Sequence, residues 1–180
     1  MRALTTIAAV AIGVMLLSGC LPQQPTAPPP PEPTAAPIFA SDEEALAAAT
    51  AAYSAYLAMS DLIAADGGAN PERLEPFVTA DRLVEDVAQF VEFAGSGRHL
   101  TGMTLFDSVS LQRFDDQMVA VYLCIDVSAV RLLDSANEDI TPVDRPDRIP
   151  LEVGFETATK SGRLPLAYSD VWQEGSFCDG

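Results

Sequence analysis

The spacing of apolar residues along the chain changes once, from a helical period to a period of two. Between residues 42 and 93, apolar side chains recur every three or four positions, which is typical of amphipathic helices. From residue 99 onward, apolar and polar residues alternate, which is typical of strands with one buried face. We therefore predict an α+β fold in which helices pack on one face of an antiparallel sheet.

The first helix is predicted over about residues 42–65. Ser41 and Glu44 have the spacing of a capping box, in which Ser41 is the N-cap. Asp66-Gly67-Gly68 is predicted to end the helix. The apolar residues at helical spacing in this segment are Leu46, Ala49, Tyr53, Tyr56, Leu57 and Ile63.

Two further helices are predicted before the strands begin. Asn70-Pro71 indicates a second, short helix, with Asn70 as its N-cap and Pro71 at the first helical position. The third helix runs from about Thr79 to Phe93 and ends at Gly95-Ser96-Gly97. Its predicted apolar stripe consists of Leu83, Val84, Val87, Phe90 and Val91.

The first of two long hairpins is predicted over residues 103–127. One apolar set precedes Asp115-Asp116 (Met103, Leu105, Val109, Leu111), and a second follows it (Val119, Val121, Leu123, Ile125, Val127). A two-residue loop would place these two sets on opposite faces of the sheet, whereas an odd number of loop residues places them together. We therefore predict a three-residue loop.

The second hairpin is predicted around a two-residue turn at Ser161-Gly162. This turn pairs Thr157 with Leu166, and Phe155 with Tyr168. The same register places a set of apolar residues on one face: Leu151, Val153, Phe155, Leu166, Tyr168 and Trp172. Residues 134–147, between the hairpins, are predicted to form a long exposed loop.

The N-terminus contains a short apolar segment, Ala3–Leu17, after a single positive charge at Arg2. It is shorter than the roughly 20 apolar residues that span a bilayer, and it has the length of a signal-peptide core. The following Leu17-Ser18-Gly19-Cys20 resembles the lipobox of bacterial lipoproteins. An uncleaved anchor and an ordinary secretory signal are the alternatives.

The lipobox resemblance implies that residues 1–19 are removed and that Cys20 carries the lipid and becomes the new N-terminus. Residues 20–40 then form a linker, since residues 22–37 contain eight of the 14 prolines and favour an extended chain. A PxxP ligand for a recognition domain is the alternative for this segment. The resemblance places the protein on the outer face of the cytoplasmic membrane, with the membrane as a partner through the lipid anchor.

Three cysteines are present, and the lipid would occupy Cys20. Since export leads to an oxidising compartment, we expect Cys124 and Cys178 to form a disulfide. A catalytic thiol is disfavoured because His99 is the single histidine in the sequence. His99 itself is predicted at the start of a strand, in a surface or capping role.

The net charge is -16, with 10 Lys and Arg against 26 Asp and Glu. This balance excludes the basic surface that nucleic-acid binding needs. It favours solubility, and an acidic face for cations or basic partners is the alternative. The sequence has no phosphate-binding loop, zinc pattern or Ser-His-Asp arrangement, so we predict no metal and no cofactor.

The order of elements resembles the NTF2-like superfamily, in particular its lipid-anchored members in high-GC Gram-positive bacteria. The resemblance also includes the Ala- and Tyr-rich first helix, the Trp in the last strand, the Gly-Ser-Phe-Cys tail at 175–178 and the stretch Tyr122–Ser128. It implies a domain at residues 41–180 with three N-terminal helices on a curved four-stranded antiparallel sheet that encloses a cone-shaped cavity. Members of the superfamily include isomerases, dehydratases and binding modules, and some dimerise through the sheet.

The family's enzymes place an acid or a His together with a Tyr in the cavity, and this sequence offers candidates. By the alternation above, Asp107 and Asp170 fall on the apolar faces of their strands, where a carboxylate could act as a general base. The hydroxyl of Tyr53, Tyr56 or Tyr168 could donate a hydrogen bond to an oxyanion. The alternative, which we favour, is that both aspartates lie near strand ends or bulges and bond to backbone or Arg.

We therefore expect a non-catalytic NTF2-like binding or accessory module, with no firm catalytic residue. Its partner would be a small apolar ligand, a cell-wall component or a cell-surface protein, and a homodimer is a further possibility. One alternative is a small-molecule isomerase or dehydratase that uses a cavity Asp. Another is a purely structural spacer domain. The aromatic set Phe155, Tyr168 and Trp172 is interpreted as core rather than as a ligand cage.

Overall fold

The structure is a computed structural model that describes residues 38–157, 163–175 and 177–178. Within this part of the chain, two α-helices precede six strands, which confirms the α+β class. The helices are α1 (Asp42–Ala65) and α2 (Ala80–Gly95). The strands are β1 (His99–Thr101), β2 (Leu105–Phe114), β3 (Met118–Asp126), β4 (Arg131–Leu133), β5 (Arg148–Glu156) and β6 (Leu166–Val171).

Helix α1 has the predicted bounds and the predicted cap. The Ser41 hydroxyl accepts a hydrogen bond from the Glu44 amide at 3.2 Å, and the Glu44 carboxylate accepts one from the Ala40 amide at 2.7 Å. At the other end, the Gly68 amide donates to the Ile63 carbonyl at 2.8 Å, with Gly68 at a φ of 85°. These bonds satisfy backbone groups that a helix end leaves open.

The predicted second helix is only one turn of 3-10 helix, Pro71–Leu74. Asn70 has a φ of 54°, and its side chain makes no capping hydrogen bond, because a capping residue needs an extended backbone. The turn is held instead by Arg73, which donates to the Asn70 carbonyl and to the Asp66 carboxylate. The prediction of three α-helices is therefore not confirmed.

Helix α2 is rotated relative to the predicted apolar stripe. It begins at Thr79, whose hydroxyl accepts a hydrogen bond from the Arg82 amide. Val84 and Val91 are 71% and 61% exposed, while Asp86 is only 3% exposed. Two of the five residues of the predicted stripe thus face solvent, and the Asp86 carboxylate lies on the buried face.

The sheet contains four antiparallel strands in the order β2-β3-β5-β6, and it is open rather than closed into a cone. The loop between β2 and β3 has the predicted three residues, 115–117, and Phe114 is opposite Val119. Strands β1 and β4 form a separate two-stranded sheet that the sequence analysis did not predict. Residues 134–147 contain no strand of either sheet.

Strand β2 has two irregularities in its register, between Asp107 and Ser110 and between Leu111 and Arg113. Ser108, inside the first, has a φ of 54°. Each irregularity shifts the alternation by one residue. Phe106 therefore packs toward the core, while Met103 and Leu105 are 66% and 53% exposed, and the single predicted alternation is wrong for those two residues.

From Gly154 to Leu151, the register between β5 and β6 is one residue away from the predicted one, with Gly154 opposite Tyr168. A one-residue difference reverses the face on which the side chains of β6 lie there. An irregularity between Gly154 and Phe155 then places Phe155 opposite Leu166, so Leu166 stays on the predicted face. The predicted Ser161-Gly162 turn, which would decide the register, lies outside the described residues.

The inner face of the sheet, defined by Val121, Leu123, Val153 and Phe155, packs against α1 and forms the core. The other side, the outer face, carries the side chains of Tyr122, Glu152 and Tyr168. Core residues with no exposed surface are Ala45, Ala49, Ile63, Leu74, Val119, Val121, Leu123, Val153, Phe155 and Leu166. Helix α1 is long and apolar enough to cross a membrane by length and composition alone, and one face of it packs in the core.

Candidate functional site

The structure does not bring the predicted catalytic residues together. Asp107 is opposite Cys124 and Asp170 is opposite Glu152, so both aspartates lie on the outer face rather than the predicted apolar face. Both side chains are exposed. The predicted apolar placement of Asp107 and Asp170 is therefore wrong, because of the irregularity in β2 and the one-residue shift in β6.

Asp107 is bound by Arg148 in an exposed ion pair. The two guanidinium Nη atoms lie 2.9 and 2.6 Å from the two carboxylate oxygens. These hydrogen bonds hold the pKa of Asp107 below its usual value. Since the carboxylate is already engaged on the outer surface, it is poorly placed to act as a base.

Cys124 and Cys178 lie at disulfide distance, with their Cα atoms 5.6 Å apart. The tail that carries Cys178 crosses the outer face, where the rings of Trp172 and Phe177 contact Tyr122 at 4.9 and 5.7 Å between centroids. The Cys178 carbonyl also accepts a hydrogen bond from Arg148 Nε at 3.1 Å. The tail therefore covers Cys124 and part of the sheet. Cys20 lies outside the described residues.

The predicted tyrosines are divided between the two sides of the sheet. Tyr53 is 2% exposed in the core, where its ring meets Phe106 edge-on at 5.1 Å, and burial raises its pKa. Tyr168 lies on the outer face and donates to Glu152 at 3.1 Å. The set of Phe155, Tyr168 and Trp172 is likewise divided, since Phe155 is in the core and the other two are outside it. His99 is half-buried at the start of β1, opposite Leu133.

A buried polar cluster, which we call the α1–α2 cluster, consists of Tyr56, Arg82 and Asp86. Arg82 Nε lies 2.8 Å from Asp86 Oδ1, and Arg82 Nη2 donates to the Tyr56 hydroxyl at 3.5 Å. The Arg82 and Asp86 side chains are only 14% and 3% exposed. The second carboxylate oxygen, Asp86 Oδ2, has almost no solvent-accessible surface and makes no hydrogen bond of standard geometry within the described residues, while the Tyr56 hydroxyl is close enough to lower the pKa of Asp86.

Leaving a buried acceptor without a partner costs about 1–3 kcal/mol, and more for a charged group. Burial raises the pKa of Asp86, although the adjacent Arg82 opposes the rise. Burial and the nearby Asp86 charge both raise the pKa of Tyr56. The folded state thus keeps these ionisable side chains buried although their desolvation costs free energy.

This cluster borders a cavity of about 290 Å³ between α1 and α2, which we call the α1–α2 cavity. The apolar part of its lining consists of Ala64, Phe90, Phe93 and Leu100. The polar part consists of Tyr56, Ser60, Asp86 and Gln89. A mostly apolar cavity with a few convergent polar groups has the composition of a small-molecule site.

Two other cavities are not bordered by a buried ion pair, and the first of them is lined by Arg163 as well as by apolar residues. One of about 420 Å³ lies beside Ala52 and Phe77, and one of about 220 Å³ lies between α1 and the start of β2. Asp61, in the second, accepts hydrogen bonds from the Thr104 amide and hydroxyl, so its carboxylate is satisfied. Among the described residues, no three His, Cys, Asp or Glu side chains are grouped to hold a metal ion.

The sequence analysis included Tyr56 but missed Arg82 and Asp86. The available signal was their spacing, since oppositely charged residues four positions apart lie on one helical face. That face also carries Leu83 and Phe90, at positions three before and four after Asp86. An acid at the centre of an apolar stripe therefore pointed to a buried charge.

No family model matches the chain, and no curated protein matches it. Among solved structures, the intermembrane space region of the chloroplast protein ARC6 is similar, with a TM-score of 0.48 and 16% identity over 69% of this chain and 95% of that one. A de novo designed β-sheet protein is similar with a TM-score of 0.34 and 16% identity, over 77% of this chain and 92% of that one. Neither similarity indicates a function.

Proposed function

We propose that this chain is a lipid-anchored extracytoplasmic NTF2-like module that binds a small, mostly apolar molecule in the α1–α2 cavity and does not catalyse a reaction. The observation that carries the proposal is the mostly apolar cavity itself, in which Phe90, Phe93 and Leu100 stand beside a few convergent polar residues.

The size of the cavity limits the ligand to a small molecule. A dry cavity of about 150 Å³ accommodates benzene, and drug-sized ligands occupy cavities of roughly 300 Å³ or more. At about 290 Å³, the α1–α2 cavity suits a molecule of one or two rings or a comparable aliphatic group. Binding would be driven mainly by burial of its apolar surface.

The proposed location rests on the lipobox-like Leu17-Ser18-Gly19-Cys20 and on the cysteine pair. A disulfide persists in an oxidising compartment, in agreement with export. Replacing Cys20 with Ser should release the protein from the membrane fraction, while Cys20→Ala is a second variant that should behave in the same way. If both variants remain in the membrane fraction in wild-type amounts, the proposed lipid anchor is wrong.

The enzymatic alternative has less support. It required Asp107 or Asp170 inside a cavity with a tyrosine in hydrogen-bonding reach, and both residues are on the outer face. Asp86 is buried beside Tyr56, but Arg82 already occupies one of its oxygens at 2.8 Å. We therefore propose binding rather than proton transfer.

Ligand binding is tested by NMR titration of the isotopically labelled full chain with small aromatic molecules. Binding in the α1–α2 cavity should shift the methyl signals of Ala64 and Leu100. Ser60→Leu, which fills the cavity, should abolish the shifts. Ser54→Leu is the matched control, since Ser54 is an exposed position on the same helix. Shifts that persist in Ser60→Leu, or that are absent in the wild type, would contradict the proposal.

A further inference from the structure

We infer that the solvent-facing side of α2 is a docking surface for a basic amphipathic helix of another protein. This surface, which we call the α2 stripe, consists of Ala80, Val84, Ala88, Val91 and Gly95. All five residues are exposed, and their spacing of three or four positions places them along one side of the helix. The inference goes beyond the proposed ligand binding and does not depend on the α1–α2 cavity.

The apolar surface of α2 is wider than packing against the domain requires. A helix that packs on a core needs an apolar arc of roughly 100°. Leu83 and Phe90 belong to that arc, since both pack against the hydrophobic core. The α2 stripe extends the apolar surface toward solvent by roughly a quarter of the helix circumference. A Cβ added at Gly95 would meet no atom within 4 Å, so nothing among the described residues covers the stripe there.

The shape of the α2 stripe suits a second helix. Val84 and Val91 form two ridges, and the small residues Ala80, Ala88 and Gly95 leave low positions beside them. The ridges of another helix fit such low positions at an interaxial distance of about 8–10 Å. Helix α2 has 16 residues, so a partner segment of similar length could contact it along its whole stripe.

The charges beside the α2 stripe favour a basic partner. Asp81, Glu85 and Glu92 border it on one side, are exposed, and belong to no ion pair within the described residues. Asp81 and Glu85 are like charges four positions apart, and Glu92 lies in the last turn, where the helix dipole disfavours an acid. Lysines or arginines of a partner would offset these unfavourable interactions. Glu85 and Glu92 are about 10 Å apart along the axis, which matches basic residues seven positions apart on another helix.

A second copy of the chain suits the α2 stripe less well than a basic partner. Each copy has a net charge of -16, so two copies repel each other. The single basic residue of α2, Arg82, is paired with Asp86 on the buried side, so it cannot pair with the acids beside the stripe of another copy. A basic helix is instead attracted before contact, and this attraction weakens as salt is added.

The test measures the affinity of the full chain for two synthetic helical peptides by fluorescence anisotropy. Both peptides have the length of α2 and carry leucines along one side. One has lysines beside the leucines, seven positions apart, and the other has glutamates at the same places. The Kd of the lysine peptide should be at least tenfold lower than that of the glutamate peptide. It should rise as the salt concentration is raised from about 20 to about 150 mM.

Two double variants and a control locate the binding surface. Val84→Ser/Val91→Ser removes both ridges and should raise the Kd of the lysine peptide about tenfold. Glu85→Gln/Glu92→Gln should raise it about fivefold and flatten its dependence on salt. Leu105→Ser is the matched control and should leave the Kd unchanged. Leu105 is also exposed, but it lies on β2, at the sheet edge opposite β6, whereas α2 begins beside β6.

The variants change exposed residues, and circular dichroism checks that each one is folded. No binding of the lysine peptide, equal binding of the two peptides, or a Kd that Val84→Ser/Val91→Ser leaves unchanged would overturn the inference. Analytical ultracentrifugation tests the second copy as the occupant. A wild-type dimer that dissociates in Val84→Ser/Val91→Ser would assign the α2 stripe to self-association and would also overturn the inference.

Discussion

Two Arg–Asp pairs in this molecule have opposite properties. Arg82 and Asp86, between the helices, share one hydrogen bond and are nearly inaccessible to solvent. Arg148 and Asp107, on the outer face, share two hydrogen bonds, and the Asp107 side chain is 52% exposed. The pKa of Asp86 is raised by burial, whereas that of Asp107 is lowered by its hydrogen bonds.

The comparison shows that the number of contacts does not decide what an ion pair indicates. The exposed pair satisfies both carboxylate oxygens of Asp107, and solvent screens what each charge contributes. The buried pair leaves an oxygen of Asp86 without a partner where desolvation is expensive. The buried carboxylate therefore carries a desolvation cost that its ion pair does not remove, and the exposed carboxylate does not.

The largest expected effect comes from breaking the buried pair on one side. Asp86→Leu should lower the free energy of unfolding by about 3–5 kcal/mol, because it leaves the Arg82 guanidinium buried without its counter-charge. Urea unfolding followed by circular dichroism measures the change. The double variant Arg82→Met/Asp86→Leu should recover most of the loss. A single variant within about 1 kcal/mol of the wild type would show that Asp86 does not compensate a buried charge.

The next effect concerns the tail beside the exposed pair. Replacing Cys124 and Cys178 with Ser removes a link between residues 54 positions apart and should cost about 2–4 kcal/mol. The Trp172 fluorescence should change as well, because the tail no longer holds its ring against Tyr122. Cys20→Ser, which alters a cysteine outside the described residues, is the control and should leave the unfolding midpoint unchanged.

A third variant perturbs the buried pair without touching either partner. Gly68 joins α1 to α2 closely: a Cβ there would lie 2.5 Å from the Phe90 carbonyl oxygen, and its φ is +85°. Gly68→Ala should therefore destabilise the fold by about 2 kcal/mol and weaken the binding of small aromatic molecules in the α1–α2 cavity. Gly95→Ala, where nothing lies within 4 Å of the added carbon, should be neutral or slightly stabilising. Equal effects of the two substitutions would contradict the close helix contact.

The smallest change in the free energy of unfolding is expected from Asp107→Asn, with Asp170→Asn as the matched control on the same face.

The contributions of the two Arg–Asp pairs to stability should change with pH in opposite directions. Since the pKa of Asp86 is raised above its ordinary value of 3.8, its contribution to stability falls as pH rises from 3.8 through the raised pKa. Since the pKa of Asp107 is lowered, its contribution is complete above 3.8 and is lost as pH falls through the lowered pKa.

The pH dependence is checked by urea unfolding between about pH 2.5 and 6. The stability of the wild type minus that of Arg82→Met/Asp86→Leu should decrease with rising pH. The stability of the wild type minus that of Asp107→Asn should increase with rising pH. Two slopes of the same sign would show that burial does not dominate the ionisation of Asp86.

Local signals in the sequence predicted the helix ends and one loop correctly. Ser41 caps α1, Gly67-Gly68 follow its end, and the odd loop after Phe114 brings two apolar sets to one face. Each of these features depends on interactions within a few residues. The sequence alone was therefore sufficient for them.

The predictions that were wrong concern strands in which a shift of one residue changes the face on which many side chains lie. The irregularity at Ser108 reverses the face of Leu105, and the register of β6 moves Tyr168 and Asp170 to the outer face. Asp86 was missed because charge normally marks the solvent side of a helix, and the tertiary contact with Arg82 and α1 overrides that rule. The candidate site could be recognised only once α1 and α2 were placed together.

Strand β2 lies at the edge of the sheet, and its two irregularities affect what the sheet can join. An edge strand of regular geometry offers a row of backbone amides and carbonyls on which another chain can add a strand. The shifts between Asp107 and Ser110 and between Leu111 and Arg113 interrupt that row. A copy of the chain therefore meets no continuous template at this edge, and growth into strand-paired aggregates through β2 is disfavoured when the protein is crowded.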